Sequence, residues 1–295
     1  MSLPNVTDAP NASGTFLAEH TKPAHFRVLH EIWAKILKDD CIDMAAEMAY
    51  FFVLALFPFF AVLGALAGFL PYTDLWTNVT HQIIEHFPSE ARDLALQTLL
   101  NLAHRNRTFL SIGFGAMVWT SSSGLVATME NLSRAYNVPE TRGFWKKRLI
   151  ATGMLIVSSA FFFGSFGLLT LGHRMGVFLS SELYFGQTLR IVWEVFRWSF
   201  LVILLQTGVA ILDNVLPNKR RPWRWLTAGT VFATTMLVGA TWGVNFYVRH
   251  IGHYSETYGA IGAFFVLMVW IFCSSLVLLI GAEMNSVMER RKVAA

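Results

Sequence analysis

The residues that could do chemistry in this chain are polar and ionisable side chains set within long apolar stretches. The first group is a run of four hydroxyls and a glycine: Thr120, Ser121, Ser122, Ser123 and Gly124. Hydroxyls in such a run either bond the carbonyls of their own helix or line a polar cavity. A second group, Glu194 and Arg197, is spaced to share one helix face. It fits a packing ion pair and also a path for an anionic solute. We predict that both groups border a polar cavity or transport path.

A third group gathers where apolar stretches end beside basic loops. Its members are Asp43, Glu47, Tyr50, Glu130, Asn131, Arg134, Asp213, Glu283 and Asn285. Glu130, Asp213 and Glu283 fall at predicted helix C-termini, where the helix dipole disfavours an anion. We therefore expect these acids to pair with cations of the second and fourth loops, namely Arg134, Arg148, Lys219, Arg220 or Arg224. The group fits a structural role and also a cytoplasmic gate or a proton or cation site, and the sequence leaves both open.

No metal site or cofactor is predicted, and we expect no enzymatic activity. His250 and His253 have a spacing that could bind a metal, but a third ligand of suitable spacing is missing. Cys41 and Cys273 form neither a disulfide framework nor a metal pair. No loop reaches the ~50 residues that a separate catalytic domain would need. A metal-dependent nuclease would also need His and Asp ligands clustered in one accessible site.

Six charge-poor apolar stretches carry these residues, and each has about the ~20 residues that an α-helix needs to cross a bilayer. They cover residues 48–70, 109–130, 149–171, 190–212, 226–248 and 258–283. The sequence therefore predicts an all-α, polytopic membrane protein with six transmembrane helices. Pro58 should interrupt the first span and free a backbone carbonyl. Gly239 and Gly243 form a pair that favours close helix approach.

Lysine and arginine sort to one side of these spans. They are concentrated before the first span, in the second and fourth loops and in the tail, whereas the other loops hold few. Positive loops stay cytoplasmic, so we expect both termini inside and a multi-pass protein of the bacterial inner (plasma) membrane. The expected partner is the lipid bilayer, with anionic head groups at the basic loops as a further candidate. Nucleic acid is not expected, because the clusters are short and juxtamembrane. A homo-oligomer stays open.

Two elements are predicted outside the spans, within one membrane domain of residues 24–288. Residues 1–23 should form a disordered cytoplasmic tail, and residues 289–295 a second tail. An amphipathic helix follows the first tail, and its apolar residues are Leu29, Ile32, Trp33, Ile36 and Leu37. This helix suits the inner membrane interface and equally a cap under the bundle. The external loop 74–108 should hold two short helices.

Several motifs together resemble the YihY/BrkB family of bacterial inner-membrane proteins. They are Ala46-x-x-Ala49-Tyr50 with Pro58, Trp119 to Gly124, Asn131, Tyr136 to Val138, Arg142-x-x-Trp145-Lys146-x-Arg148, Leu216-Pro217-Asn218, Trp223, Phe246-Tyr247, Tyr258-Gly259-Ala260-x-Gly262, Trp270 and Gly281-Ala282-Glu283-x-Asn285. The resemblance covers roughly residues 26–288. It implies six membrane helices, an envelope role and a structural part for Pro58, Pro217, Asn218, Tyr258 and Gly259. The family was once labelled ribonuclease BN and carries a virulence association with serum resistance; transport has been proposed for it, with the substrate unsettled.

The function that fits best is transport of an ion, a small solute or an envelope lipid. The competing hypothesis is an envelope or scaffold protein that transports nothing and acts through partners. A ribonuclease is the least favoured. A polar cavity that joins the hydroxyl run to Glu283 would favour transport, and a dry bundle would favour the scaffold.

Overall fold

The computed structural model describes residues 24–67, 107–182, 186–219, 222–250 and 259–294, and this part of the chain is helical without a strand. Its helices, in chain order, are α1 Ala24–Lys38, α2 Cys41–Ala67, α3 Arg107–Ala135, α4 Phe144–Glu182, α5 Gly186–Val215, α6 Ala228–His250 and α7 Gly259–Ala294. The all-α class is confirmed. The predicted tail 1–23 and nearly all of loop 74–108 lie outside the described residues, as do Tyr258 and His253.

The six long helices close a ring. Each of α2 to α6 packs against the next helix along the chain, and α7 returns to pack against α2. Helix α7 also contacts α3 and α1, so it is the element that most of the bundle shares. Short connections explain this order from α3 to α7, because helices joined by a few residues pack side by side. Helices α2 and α3 pack together although residues 68–106 separate them.

The tightly packed core lies at the end of the bundle that carries the basic loops. It is built from the start of α2, the end of α3, the start of α4, the chain just after α5 and the second half of α7. Its members are Cys41, Met44, Ala45, Met48, Leu125, Met129, Leu132, Ala135, Tyr136, Ala151, Met154, Leu216, Leu279 and Ala282. Packing therefore seals this end.

The remaining helix surface is apolar and exposed. Four segments are long and apolar enough to cross a membrane: Phe144–Leu169, Ile191–Val215, Ala228–Val248 and Gly262–Lys292. Only 11–22% of the residues in their apolar windows are buried within the protein. Trp242, for example, is 75% exposed, and Ile156 is 68% exposed. A surface of this kind is far larger than a soluble monomer tolerates, so it requires lipid around it.

Helix α1 lies beneath the ring and has two differently used faces. Ile32 and Lys35 are buried towards the bundle, whereas Leu29, Trp33 and Leu37 are 57–62% exposed. The single apolar face predicted from the sequence is therefore divided. One side caps the bundle, and the other leaves an apolar stripe of the type that rests in a membrane interface. A two-residue turn joins α1 to α2, and Asp40 adopts a left-handed conformation there with φ 50°.

The helices run past the ends of the predicted spans. Helix α2 is continuous from Cys41 to Ala67, so the expected interruption at Pro58 is absent. Helices α4 and α7 reach 39 and 36 residues, because charges limit an apolar span but do not end a helix. Helix α3 ends at Ala135, and Asn137 follows it in a left-handed conformation with φ 53°. The N–H of Val138 donates to the carbonyl of Ser133, which completes a Schellman-type cap.

Candidate functional site

A buried ion pair joins α1 to α7 at the sealed end. Glu283 is 0% exposed, and Lys35 is 9% exposed. The Lys35 ammonium donates to the Glu283 carboxylate, to the Ala135 carbonyl at the end of α3, and to Asp39 Oδ2 at 3.0 Å. The prediction of a paired, interior Glu283 is confirmed. The predicted partner was wrong: the cation comes from α1, not from the second or fourth loop, because α1 folds beneath the ring.

Cys41 completes this cluster from the first turn of α2, before the apolar stretch that starts at residue 48. Its sulfur lies 3.8 Å from Glu283 Oε1. Burial, followed by the Glu283 carboxylate, raises the pKa of the Cys41 thiol to about 12. The thiol therefore stays protonated and donates to Glu283.

Asp213 is the centre of a second buried network that ties together four parts of the fold. Its carboxylate accepts from the Tyr136 hydroxyl at 2.7 Å and from Asn285 Nδ2 at 3.1 Å. Asn285 Oδ1 in turn accepts from the Gly229 N–H at 2.8 Å. Asp213 and Asn285 line a cavity of about 10 Å³. That volume is at the lower limit for one water molecule.

Two glycines let α6 and α7 touch beside this network. A Cβ on Gly229 would lie 1.9 Å from the carbonyl oxygen of Gly281, and a Cβ on Gly281 would lie 2.6 Å from the carbonyl oxygen of Gly229. The backbones are therefore in contact, which brings Asn285 to the Gly229 N–H. The close approach predicted at Gly239 and Gly243 is not found in the described part of the chain, where a Cβ at either glycine would meet no atom within 4 Å.

Sequence reasoning missed Gln206, which extends the polar network along α5. Its Nε2 donates to the Trp225 carbonyl and to Thr230 Oγ1, both at 3.0 Å, and its Oε1 accepts from Thr234 Oγ1 at 2.6 Å. The side chains of Gln206, Thr230 and Thr234 are all buried. Gln206 lies two helical turns from Asp213 and so shares its face of α5. The signal that could have identified Gln206 from the sequence is a lone amide side chain in an apolar stretch.

The other residues assigned to a cytoplasmic gate divide between pairs and surface. Asn131 donates to Glu47 Oε2 at 3.0 Å and joins α3 to α2. Glu130 forms an ion pair with Lys147 and joins α3 to α4. This cation follows the second loop, but it is not one of the five predicted partners. Asp43, Tyr50 and Arg134 are exposed, so they lie outside the buried clusters.

The hydroxyl run on α3 faces α4, where it holds Arg148. Ser122 is fully buried. Arg148 Nη1 lies 2.7 Å from Ser122 Oγ, 2.9 Å from Ser123 Oγ and 3.1 Å from the Trp119 carbonyl. Both serines also donate to that carbonyl, and Thr120 donates to the Ala116 carbonyl. The hydroxyls thus bond their own helix and also contact a guanidinium.

Glu194 and Arg197 form an ion pair of 2.6 Å on α5. Arg197 is 7% exposed and packs against Gly172 of α4, where a Cβ would lie 3.0 Å from Arg197 Cδ. Trp193 Nε1 donates to the Gly172 carbonyl at 2.6 Å. Among the described residues, these contacts join α4 to α5 and do not reach the hydroxyl run.

Two loops clasp each other beside the sealed end. Arg142 donates to the carbonyls of Leu216 and Pro217 at 3.0 and 2.8 Å, and to Asn218 Oδ1 at 3.2 Å. Asn218 Nδ2 donates to the Pro139 carbonyl at 3.0 Å. Pro217 and Asn218 therefore lie in a structural clasp.

Gly259 is the first residue of α7. Within the described ranges, no group of three His, Cys, Asp or Glu residues could hold a metal ion.

Comparison with known proteins places the chain in a family. A family model described as Virulence factor BrkB matches residues 32–295. The chain belongs to this family. The ribonuclease-like protein YfkH of Bacillus subtilis is 32% identical over 90% of this chain and 96% of its own length.

More distant relatives are longer. A UPF0761 membrane protein of Stenotrophomonas maltophilia is 24% identical over 87% of this chain and 59% of its own length. One from Xanthomonas campestris is 25% identical over 88% of this chain and 60% of its own length. The chain thus spans about three-fifths of these UPF0761 relatives. No solved structure gives a significant match. This BrkB-family chain is a membrane protein.

Proposed function

We propose that this BrkB-family protein transports an ion, a small solute or an envelope lipid across the bacterial inner membrane, and that the described conformation is closed at its cytoplasmic end. The observation that carries the proposal is the fully buried Glu283, paired with Lys35 from a helix outside the ring. Ionisable groups at membrane depth are rare and mark substrate or proton pathways.

The structure of the Lys35–Glu283 pair favours a gate over a purely structural contact. A buried ion pair is weak evidence for stability, because apolar side chains of similar volume often stabilise as well or better. Lys35 lies on α1, which a two-residue turn joins to α2. Moving α1 alone would withdraw the ammonium and leave Glu283 open to the cytoplasm. We propose that the pair acts as a latch, closed in this conformation and open when α1 moves away.

A polar line continues inward from the latch region. Asp213, Gln206 and Thr234 follow one another along the interface of α5 and α6, all buried and all hydrogen-bonded. In lipid, such groups would cost several kcal/mol each if they lacked partners. The small cavity beside Asp213 is too narrow for a solute in this conformation. It marks where a path would widen if the helices separated.

The proposed topology has six spans and both termini in the cytoplasm. Helices α2 and α3, of 27 and 29 residues, would add two spans to the four long apolar segments. The sealed end carries the basic loops, which fits the cytoplasmic side. We assign no catalysis to this fold, and the ribonuclease-like name belongs to YfkH.

The test is flux through purified protein in liposomes, with a panel of monovalent ions, small solutes and fluorescent phospholipids. Wild-type protein should move one member of the panel. Glu283→Gln should change the rate of that movement about tenfold or more. The matched control is Glu289→Gln, which removes the same charge from the same helix at a part-buried pair with Lys219, outside the Glu283 cluster. Its rate should match the wild type.

Two results would count against the proposal. Folded protein that moves nothing in the panel would support the scaffold hypothesis instead. Equal effects of the two substitutions would show that Glu283 has no special role in the path.

A further inference from the structure

Arg148 lies in a groove between α3 and α4 whose rim is apolar and exposed. Trp119, Phe144 and Leu149 around it are 52%, 55% and 74% exposed. The guanidinium stacks over the Trp119 ring, with 4.0 Å from Cζ to the ring centroid. Arg148 falls within the long apolar segment Phe144–Leu169. The groove therefore opens towards lipid, one turn inside the start of α4.

The donors of this guanidinium are only partly used. All three described hydrogen bonds come from Nη1. Nε is buried and has no hydrogen-bond partner in the described part of the chain. Nη2 makes no described hydrogen bond either. Since an arginine carries five N–H donors, the N–H groups of Nη2 are left available, whereas Nε is enclosed by the protein. A charged donor without an acceptor is costly, so Nη2 is the donor that a ligand could reach.

Neighbouring acids do not supply that ligand. Glu130, about two turns beyond Ser123 on α3, is paired with Lys147. Within the described ranges, Arg148 has no carboxylate partner, whereas Arg197 has Glu194. The exposed apolar rim of the groove faces lipid, so a lipid head group can supply an acceptor.

We propose that the Arg148 groove binds the phosphate of an anionic phospholipid head group. The N–H groups of Nη2 can donate to phosphate oxygens, and a planar guanidinium suits phosphate better than an ammonium does. Ser122 and Ser123 fix Nη1, so Nη2 is already oriented. Trp145, 76% exposed and three residues away, is the type of aromatic residue found at the membrane interface where phosphates lie. The exposed aromatic rim would contact the glycerol and upper acyl chains.

The experiment is a lipid titration of the purified full-length protein by native mass spectrometry. Phosphatidylglycerol and phosphatidylcholine are the two probes. Wild type should prefer phosphatidylglycerol, and Arg148→Gln should weaken its binding about tenfold, which is about 1.4 kcal/mol. The matched control is Lys146→Gln, an exposed cation two residues away that loses the same charge. It should change binding less than about twofold, as expected for one rim charge.

A conservative variant and a competitor make the test independent of folding and of transport. Arg148→Lys keeps the charge and loses the planar guanidinium, so an intermediate loss is expected. Wild-type preference in Arg148→Lys would overturn the proposal, and so would equal losses in Arg148→Gln and Lys146→Gln. Displacement of the lipid by millimolar glycerol phosphate would show a site for a free phosphate and not for a lipid. Flux is not measured, so failure here leaves the proposed transport function unaffected.

Discussion

Replacing Lys35 with alanine should destabilise the protein far more than replacing Arg291, an exposed cation that also joins α1 to α7. Lys35 joins α1 to α7 through Glu283, which is fully buried. The substitution would leave the Glu283 carboxylate without its cation. It would also remove the donor of the Ala135 carbonyl and free Asp39.

The size of the effect follows from burial. Removing one partner of a buried pair costs about 3–5 kcal/mol, because an uncompensated charge remains inside. Glu283→Gln should cost less, about 1–3 kcal/mol, since Lys35 keeps Asp39 and the Ala135 carbonyl. The double variant should be more stable than the sum of the two losses implies, because the two residues are in contact.

The assay is thermal unfolding in detergent, followed by intrinsic fluorescence. At roughly 2–4 °C per kcal/mol, Lys35→Ala should lower Tm by about 10 °C. The control is Arg291→Ala, which breaks the Arg291–Glu31 pair between the same helices at the surface. Exposed pairs contribute little, so its Tm should stay near that of the wild type. A Tm of Lys35→Ala as high as that of Arg291→Ala would refute the buried latch.

Three further changes test other parts of the fold. Gly229→Ala should cost at least about 3 kcal/mol, because its Cβ would meet a backbone oxygen, whereas Gly239→Ala should be neutral or stabilising by up to about 1 kcal/mol; unfolding in detergent compares them. Arg142→Ala should cost about 3 kcal/mol by removing the loop clasp, measured in the same way. Cys41, in a background without the second cysteine, should resist maleimide at neutral pH in folded protein and become reactive in Lys35→Ala, as mass spectrometry would show.

The sequence predicts the helical membrane class because the apolar stretches are long and free of charge. It also places Glu283 inside the protein, since an acid at the end of such a stretch needs a partner. The positions of Ser122 and Asp213 within their helices follow from the same pattern. These are one-dimensional properties, and the order of residues along the chain is enough to establish them.

The order of residues along the chain does not show which side chains meet across the fold, and here the predictions failed or were absent. Lys35 and Glu283 are 248 positions apart, and α1 carries other basic residues with the same local pattern. The close approach of α6 and α7 uses one glycine from each helix, Gly229 and Gly281, whereas the predicted pair lay on one helix. A single glycine has no spacing signal, so only the crossing of the two helices reveals its role.

The division of α1 into two faces explains why its key residue was missed. Leu29, Trp33 and Leu37 lie one turn apart and dominate the apolar pattern, yet they are the exposed side. Ile32 and Lys35 form the buried side, which mixes an apolar residue with a charge. In water the larger apolar stripe would be expected to face the protein, but at a membrane interface it can face lipid. The inward face is then free to carry the cation that Glu283 requires. Helix α1 can therefore leave the bundle without exposing its apolar stripe to water, by breaking the buried Lys35–Glu283 pair, the Lys35 contact with the Ala135 carbonyl and the exposed Arg291–Glu31 pair.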